Sequence, residues 1–450
     1  MSESHESEKR QQQTDRAPSP PSRKRARAEL PDEERNCVQP YDLPDNISYR
    51  ALADKYAELK PYLAATSSQH STIDFKHPDA VRVLNQALLS VYFGLRIHLP
   101  SNSLCPTVSN RLNYVKWLSA NIVSEFIPGP LSGLDIGTGA SCIYPLLGAR
   151  YLPQCSFVGT DINEDSVATA LANVAQNELQ GRIKVFLNND RQTTLPLDAP
   201  GFPQPNVDAD GSSFAFCMCN PPFYESSDER ERLRQMKLGA PSLNTIAKDD
   251  ELYTEGGEEA FLARLVDESA TMAGRIKWYT TMVGKKSTLA LLKARLRGVG
   301  AKQAREGVLI QGRTTRWVLA WSFLGQSRLC LDASLTLDDA RAWLCASMQE
   351  LNIHAVSYEP ESAGCASGGL WYRCTAGEKT WTRRWRRQAK PAAESTDSAG
   401  HRPALRFSAS VASAGPSGTA SSICLYLEPG YDSNDLMALY SNLRRKLQPP

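Results

Sequence analysis

Between Leu134 and Phe323, short apolar runs alternate with segments whose apolar residues recur every three or four positions. The first pattern predicts buried strands and the second predicts helices. Strands are expected at Leu134–Ile136, Ser156–Thr160, Ile183–Leu187, Ser213–Cys219, Lys277–Met282, Glu306–Ile310 and Arg316–Phe323. Helices are expected near Cys142–Arg150, Glu164–Asn177, Glu259–Met272 and Ser287–Val299. Strands separated by helices imply βαβ units and an α/β fold with a mainly parallel sheet. The last two strands, joined by Gln311-Gly312-Arg313, predict an antiparallel hairpin at one edge.

Either side of this core the pattern changes. From Asn46 to about Phe126 it is helical. Val81, Leu84, Ala87, Leu88, Val91 and Tyr92 follow the opening Pro78-Asp79, and Leu112, Val115, Leu118 and Ile122 continue from Asn110. These helices are expected to cover the ligand side of the core. After Gln326, residues 336–351 predict an amphipathic helix flanked by short strands. Residues 388–402 and 409–422, rich in Ala, Ser, Gly and Pro, read as flexible linkers or long loops. A strand at Ile423–Leu427 and a helix near Asn434–Leu447 close the chain. The expected division is a disordered basic tail at 1–38, a helical extension at 39–126, a core at 127–325 and a smaller α+β domain at 326–450.

Composition adds exclusions. Lys and Arg number 51 against 49 Asp and Glu, so the net charge of +2 identifies no partner. No run of about 18 apolar residues occurs, so no membrane span is expected. The first 30 residues lack the apolar core of a signal peptide. The eleven cysteines are scattered and read as reduced, mostly buried thiols of an intracellular protein. Cys217-x-Cys219 has no accompanying His or second Cys pair, so no metal is expected. Local charge is more informative. Ser22-Arg23-Lys24-Arg25-Ala26-Arg27 reads as a nuclear-import signal, a nucleic-acid arm or a solvated charge run.

Two stretches carry candidate chemistry. In Leu134-Asp135-Ile136-Gly137-Thr138-Gly139-Ala140-Ser141, a strand leads through a glycine turn to a helix start. Gly137 and Gly139 permit positive φ and close approach of a ligand. Asp161 ends the next strand, about 20 residues on, where an acid that binds ribose hydroxyls is expected. The GxGxS pattern, with no P-loop Lys, favours an adenosyl ligand without a pyrophosphate over NAD or ATP. The competing reading is a tight turn in another α/β fold. In the second stretch, Cys217-Met218-Cys219-Asn220-Pro221-Pro222-Phe223-Tyr224, a buried strand stops at two prolines. An amide oxygen, backbone carbonyls and an aromatic face then stand at the carboxyl end of the sheet, where ligands bind. They can grip a flat group bearing an –NH2. The competing reading makes Phe223 a plain core aromatic.

Asp-x-Gly-x-Gly followed by Asn-Pro-Pro-Phe resembles the class I (Rossmann-like) methyltransferases. The stretches Asp135–Pro145, Met218–Phe223, Glu255-Gly256-Gly257-Glu258, Gly284-Lys285-Lys286 and Gln311–Trp317 are similar to the methyltransferase-like protein 16 family, over about residues 46–325. That resemblance implies an RNA (adenine-N6)-methyltransferase using S-adenosyl-L-methionine. Its RNA partner would be U6 small nuclear RNA or a structured RNA with an exposed adenosine, met in the nucleus and secondarily in the cytoplasm. The resemblance implies catalytic roles for Asn220, Pro221, Pro222 and Phe223. Cofactor contacts would come from Arg111, Asp135, Gly137, Gly139, Ser141, Asp161, Thr194 and Asn220. Basic side chains near the sheet's carboxyl end are candidate RNA contacts: Arg230, Arg232, Arg234, Lys285, Lys286, Arg313 and Arg316. Arg383 and Arg384 join them in a stretch, Lys379–Arg387, that interleaves Trp with Arg and could also be a solvated edge strand. Glutamine-amide methylation of proteins and a non-catalytic, cofactor-sensing RNA-binding module are the alternatives. No oligomeric state is assigned.

Overall fold

The central strand is apolar on both faces, and both faces are covered: all six residues of β6 (Phe214–Cys219) are buried. A computed structural model describes residues 41–65, 71–75, 77, 79–101, 103–127, 129–205, 212–222, 254–311, 314–325, 328–358, 370–382, 403–413, 420–428 and 431–447.

Beside β6 lie β3 (Leu131–Ile136) and β7 (Ile276–Val283), both parallel to it. Outside β3 come β4 (Cys155–Asp161) and β5 (Ile183–Leu187), also parallel. Beyond β7 the hairpin of β8 (Gln303–Gln311) and β9 (Thr314–Ser322) closes the sheet in the order β5-β4-β3-β6-β7-β9-β8. β9 runs antiparallel to both neighbours, so the hairpin sits at the edge as its sequence predicts. The chain winds outward from β3 to β5, then returns to β6 on the other side of β3. Adjacent connections thus diverge between β3 and β6, and a crevice opens at the carboxyl ends of these two strands.

Helices cover both faces. On one side pack α2 (Ala80–Phe93), α3 (Val108–Asn121), α4 (Ile143–Tyr151) and α5 (Glu164–Gln176), against Phe157, Phe216 and Trp278. On the other pack α6 (Gly257–Thr271) and α7 (Lys286–Gly298), against Leu134, Tyr279 and Trp321. The capping rules explain several ends. Asn163 accepts the Ser166 N–H to start α5, with Glu164 and Asp165 in its first turn. Gly94, at φ 60°, ends α2 in the left-handed region.

The amino-terminal region departs from expectation twice. It is not wholly helical: after α1 (Tyr49–Lys55), β1 (Leu63–Ala65) and β2 (Ser71–Ile73) form a short antiparallel pair. Its helices also pack mainly against one face of the sheet and meet the ligand side through a few residues. From this region Leu104, Pro106 and Arg111 reach the crevice.

The carboxy-terminal part is a five-stranded antiparallel sheet, β10-β14-β13-β12-β11. Its strands are β10 (Arg328–Ala333), β11 (Ile353–Tyr358), β12 (Leu370–Ala376), β13 (Leu405–Ser413) and β14 (Ser421–Leu427). One face is buried under α8 (Leu337–Glu350) and α9 (Ser433–Leu447). Two expectations are corrected here. Residues 409–413 and 421–422 are strand, not linker. Ala409 and Val411 alternate with polar neighbours and bury beneath the helices, where small side chains let them approach. The thiols are not all reduced: Cys330 and Cys424, in register across β10 and β14, form a disulfide.

Candidate active site

The crevice between β3 and β6 is a cavity of about 160 Å³. That is roughly ten times the space that one water molecule needs, so the cavity can hold an organic ligand.

Its floor is the glycine turn. Gly137 and Gly139 take φ values of 71° and 64°, as a tight left-handed turn requires. Cys142 follows at φ 49°, unusual for a residue with a side chain, and α4 begins one residue later. Two bonds hold the turn to β4. Thr138 N–H donates to the Thr160 carbonyl at 2.8 Å, and Gly139 N–H donates to Asp161 Oδ2 at 2.8 Å. Asp161 Oδ1 accepts the Asn163 N–H at 3.0 Å. The acid that lines the cavity is therefore also the brace of the turn.

Opposite stands the Asn-Pro-Pro segment. Asn220 Oδ1 accepts a hydrogen bond from Arg111 Nη1 at 3.2 Å. The Arg111 guanidinium lies 5.5 Å from the centre of the Tyr144 ring, and Tyr144 donates to Met282 Sδ at 3.1 Å. Burial pushes the phenol of Tyr144 far above its usual range, with the Arg111 charge opposing, so Tyr144 stays neutral. Beneath, Thr280 Oγ1 donates to the Cys217 carbonyl at 2.7 Å and meets the Tyr114 hydroxyl at 2.6 Å. These bonds stitch the end of β6 to β7 and α3. Burial holds Cys217 up at about 12 and pushes Cys219 well above its usual range, so neither is a thiolate nucleophile.

Of the residues singled out from sequence, Arg111, Gly137, Gly139, Ser141, Asp161, Thr194, Asn220 and Pro222 line this one cavity. Asp135 and Pro221 do not line it; both are buried. Asp135 lies under the turn, and burial raises its carboxyl from 3.8 to about 7, with the Thr138 hydroxyl and then Arg111 opposing. Lys285 and Lys286 are exposed at the start of α7, and half-buried Arg316 is on β9; all three are outside the lining. The Trp-Arg stretch is corrected in part. Trp381 is 2% exposed within the carboxy-terminal core and so offers no face to solvent, while exposed Lys379 pairs with Asp435 at 2.6 Å. Phe223, Tyr224, Arg230, Arg232, Arg234, Lys237, Arg313, Arg383, Arg384, residues 388–402 and the basic cluster Ser22–Arg27 lie outside the described residues.

Sequence reasoning missed Tyr144, Asn188, Arg191, Thr193 and Phe261, which also line the cavity. Asn188 and Asp190 carried a usable signal, since Asx turns after a strand mark a structured loop. Among the described residues no group of three His, Cys, Asp or Glu side chains could hold a metal, and no helix is long and apolar enough to cross a membrane.

A parallel sheet diverging at β3 and β6, a braced glycine turn and an Asn-Pro-Pro segment facing it define the class I, Rossmann-like methyltransferase architecture. The sequence profile of an RNA methyltransferase family matches residues 37–325, and the chain belongs to that family. It is 38% identical over 323 residues to the U6 small nuclear RNA (adenine-(43)-N(6))-methyltransferase of Caenorhabditis briggsae, covering 68% of this chain and 66% of that one. It is 40% identical over 287 residues to the RNA N(6)-adenosine-methyltransferase mettl16 of Danio rerio, covering 63% and 57%. The chain thus spans about half to two thirds of the length of the curated relatives it matches. Among solved structures, it resembles the hMettl16 catalytic domain in complex with a MAT2A 3'UTR hairpin, with 37% identity and a TM-score of 0.55. That match covers 62% of this chain and 92% of the other. The amino-terminal domain of human METTL16 in complex with SAH matches at 35% identity and a TM-score of 0.50, covering 62% and 95%.

Proposed function

We propose that the protein transfers the methyl group of S-adenosyl-L-methionine to N6 of an adenosine in RNA, with U6 small nuclear RNA as its substrate and the nucleus as its compartment. The observation that carries this reading is the meeting of Asn220 with the glycine turn and Asp161 in one cavity. The names of the relatives and the SAH and RNA-hairpin complexes of the structural neighbours support it.

The donor set suits the cofactor. Asp161 offers carboxylate oxygens beside the glycine turn, which fits ribose hydroxyls, and Arg111 offers a fixed cation that fits a carboxylate. When bound, the cofactor supplies a sulfonium-activated methyl group. The chain supplies position. Adenine N6 is a poor nucleophile because its lone pair is delocalised into the ring. The Asn220 amide oxygen and the Pro221 carbonyl would each accept one N6–H, pulling the nitrogen toward tetrahedral geometry and aiming its lone pair at the methyl. Arg111 occupies one lone pair of Asn220 Oδ1 and leaves the other for the substrate. Alignment and hydrogen bonding therefore provide the acceleration. Phe223 would stack on a base that has left its helix. Arg230, Arg232, Arg234, Lys285, Lys286, Arg313, Arg316, Arg383 and Arg384 would meet phosphates, and residues 326–450 would act as a second RNA-binding part beside the methyltransferase core at 127–325.

Recombinant protein is expected to convert adenosine to N6-methyladenosine in a U6 fragment, read by mass spectrometry of nucleosides. Asn220→Ala should lose the product and keep binding S-adenosylhomocysteine. Wild-type turnover by Asn220→Ala overturns the mechanism. Label appearing in protein and not in RNA overturns the substrate.

A further inference from the structure

The cavity wall opposite Arg111 is a loop, residues 188–194, that supplies Asn188, Arg191, Thr193 and Thr194 to the lining. Within itself the loop is shaped by Asp190 as acceptor and Asn188 as donor. Asp190 takes the Gln192 N–H at 2.9 Å and the Thr193 hydroxyl at 2.7 Å, while Asn188 Nδ2 donates to the Thr193 carbonyl at 2.7 Å. Its seat on the rest of the molecule comes from α6. That helix turns Phe261, Arg264 and Glu268 toward the loop, at the three- and four-residue spacings that share a helix face. Phe261 lines the cavity itself. Glu268 Oε2 accepts from Thr194 N–H at 2.9 Å, Thr194 Oγ1 at 2.8 Å and Leu195 N–H at 2.8 Å. Arg264 Nη1 donates to the Arg191 carbonyl at 3.3 Å and to Gln192 Oε1 at 3.2 Å. One helix face thus holds the near end of the loop by a donor and the far end by a charged acceptor.

We infer that Glu268, assisted by Arg264, is a positioning residue for the methyl-donor site. The inference rests on the proposed methyltransferase function. Thr194 and Leu195 are buried and Glu268 is half-buried, so removing the carboxylate leaves three converging donors without their shared charged acceptor. The wall then loses the bonds that fix Thr193 and Thr194 in the lining. Glu268 itself does not line the cavity, so it touches neither the donor nor the reacting atoms. Its loss acts on donor affinity and leaves the aligned transfer step intact.

Calorimetric titration of the full chain with S-adenosylhomocysteine tests this, together with donor-dependent kinetics. Glu268→Ala is expected to weaken binding about tenfold or more, since several hydrogen bonds to one charged group are lost together. KM for the donor should rise by a similar factor, and kcat at saturating donor and affinity for a U6 fragment should stay within about twofold. Thr194→Val, which removes a single bond, should weaken binding about threefold, and Glu268→Asp should recover part of the loss. A general folding defect would lower RNA affinity and donor affinity together, and that result overturns the inference. So does wild-type affinity for S-adenosylhomocysteine in Glu268→Ala, or in Thr194→Val and Arg264→Ala together should Glu268→Ala not fold. A wild-type chain that does not take up S-adenosylhomocysteine overturns the proposed function, and this inference with it.

Discussion

Asn220 and Arg111 are 109 residues apart and work as one unit. The guanidinium fork fixes which way the amide oxygen points, which an ammonium on a flexible stem cannot do. Arg111→Lys is therefore expected to lower kcat/KM at least about tenfold while the protein stays folded, read by steady-state methylation beside circular dichroism. Asp135 gives a prediction of opposite character. Burial raises its folded pKa from 3.8 to about 7, so between those values the folded protein holds a proton that the unfolded chain has released. The stability this contributes is present below about pH 4 and is lost as pH rises through about 7. The unfolding midpoint of the wild type should fall relative to that of Asp135→Asn across this window, and a constant difference would contradict the assignment. At this scale, the motif residues were legible because short stretches of chain carry them. Glu268 was not, because Thr194, the group it holds, is 74 positions away. Trp381 misled because an aromatic among arginines looks the same whether it faces solvent or, as here, the core.

Among the elements, β4 shows how a strand shapes a ligand turn from below. Gly159 leaves the space that Thr138 occupies. A Cβ there would come within 2.9 Å of Thr138 Oγ1 and 3.1 Å of its Cβ. Gly159→Ala should therefore destabilise the fold by about 1–3 kcal/mol and weaken donor binding, measured by thermal unfolding with and without S-adenosylhomocysteine. The strands of the large sheet were legible within a few residues because most carry a short apolar run bounded by turns. β13 was not, because Ser408, Ala409, Ser410 and Ala412 have the composition of a linker. What makes that stretch a strand is the alternation of Phe407, Ala409 and Val411 beneath two helices, a tertiary fact. The β1–β2 pair escaped because three-residue strands carry almost no period.

Across the molecule, buried Glu125 joins three parts. It follows α3 and pairs with Arg305 of β8 at 3.1 Å and with Arg328 of β10 at 3.5 Å. Glu125→Ala would leave two guanidinium groups without their shared anion. Both arginines are partly exposed, so the expected loss is about 2 kcal/mol, less than for a fully buried pair. Limited proteolysis should then cut near residues 326–330 faster than in the wild type. The parallel pairing of the large sheet and its edge hairpin followed from the alternation of strands and helices. The small sheet did not, since its register, like the Cys330–Cys424 bond, joins residues 94 positions apart. The crevice between β3 and β6 has a kinetic consequence. Donor turn and acceptor clamp share one cavity, and the thiols of β6, the strand that leads into the clamp, stay protonated. Under the proposed reaction the methyl group never rests on the protein. Turnover should be sequential, requiring both substrates at once, and a chiral methyl group should arrive on the product with its configuration inverted.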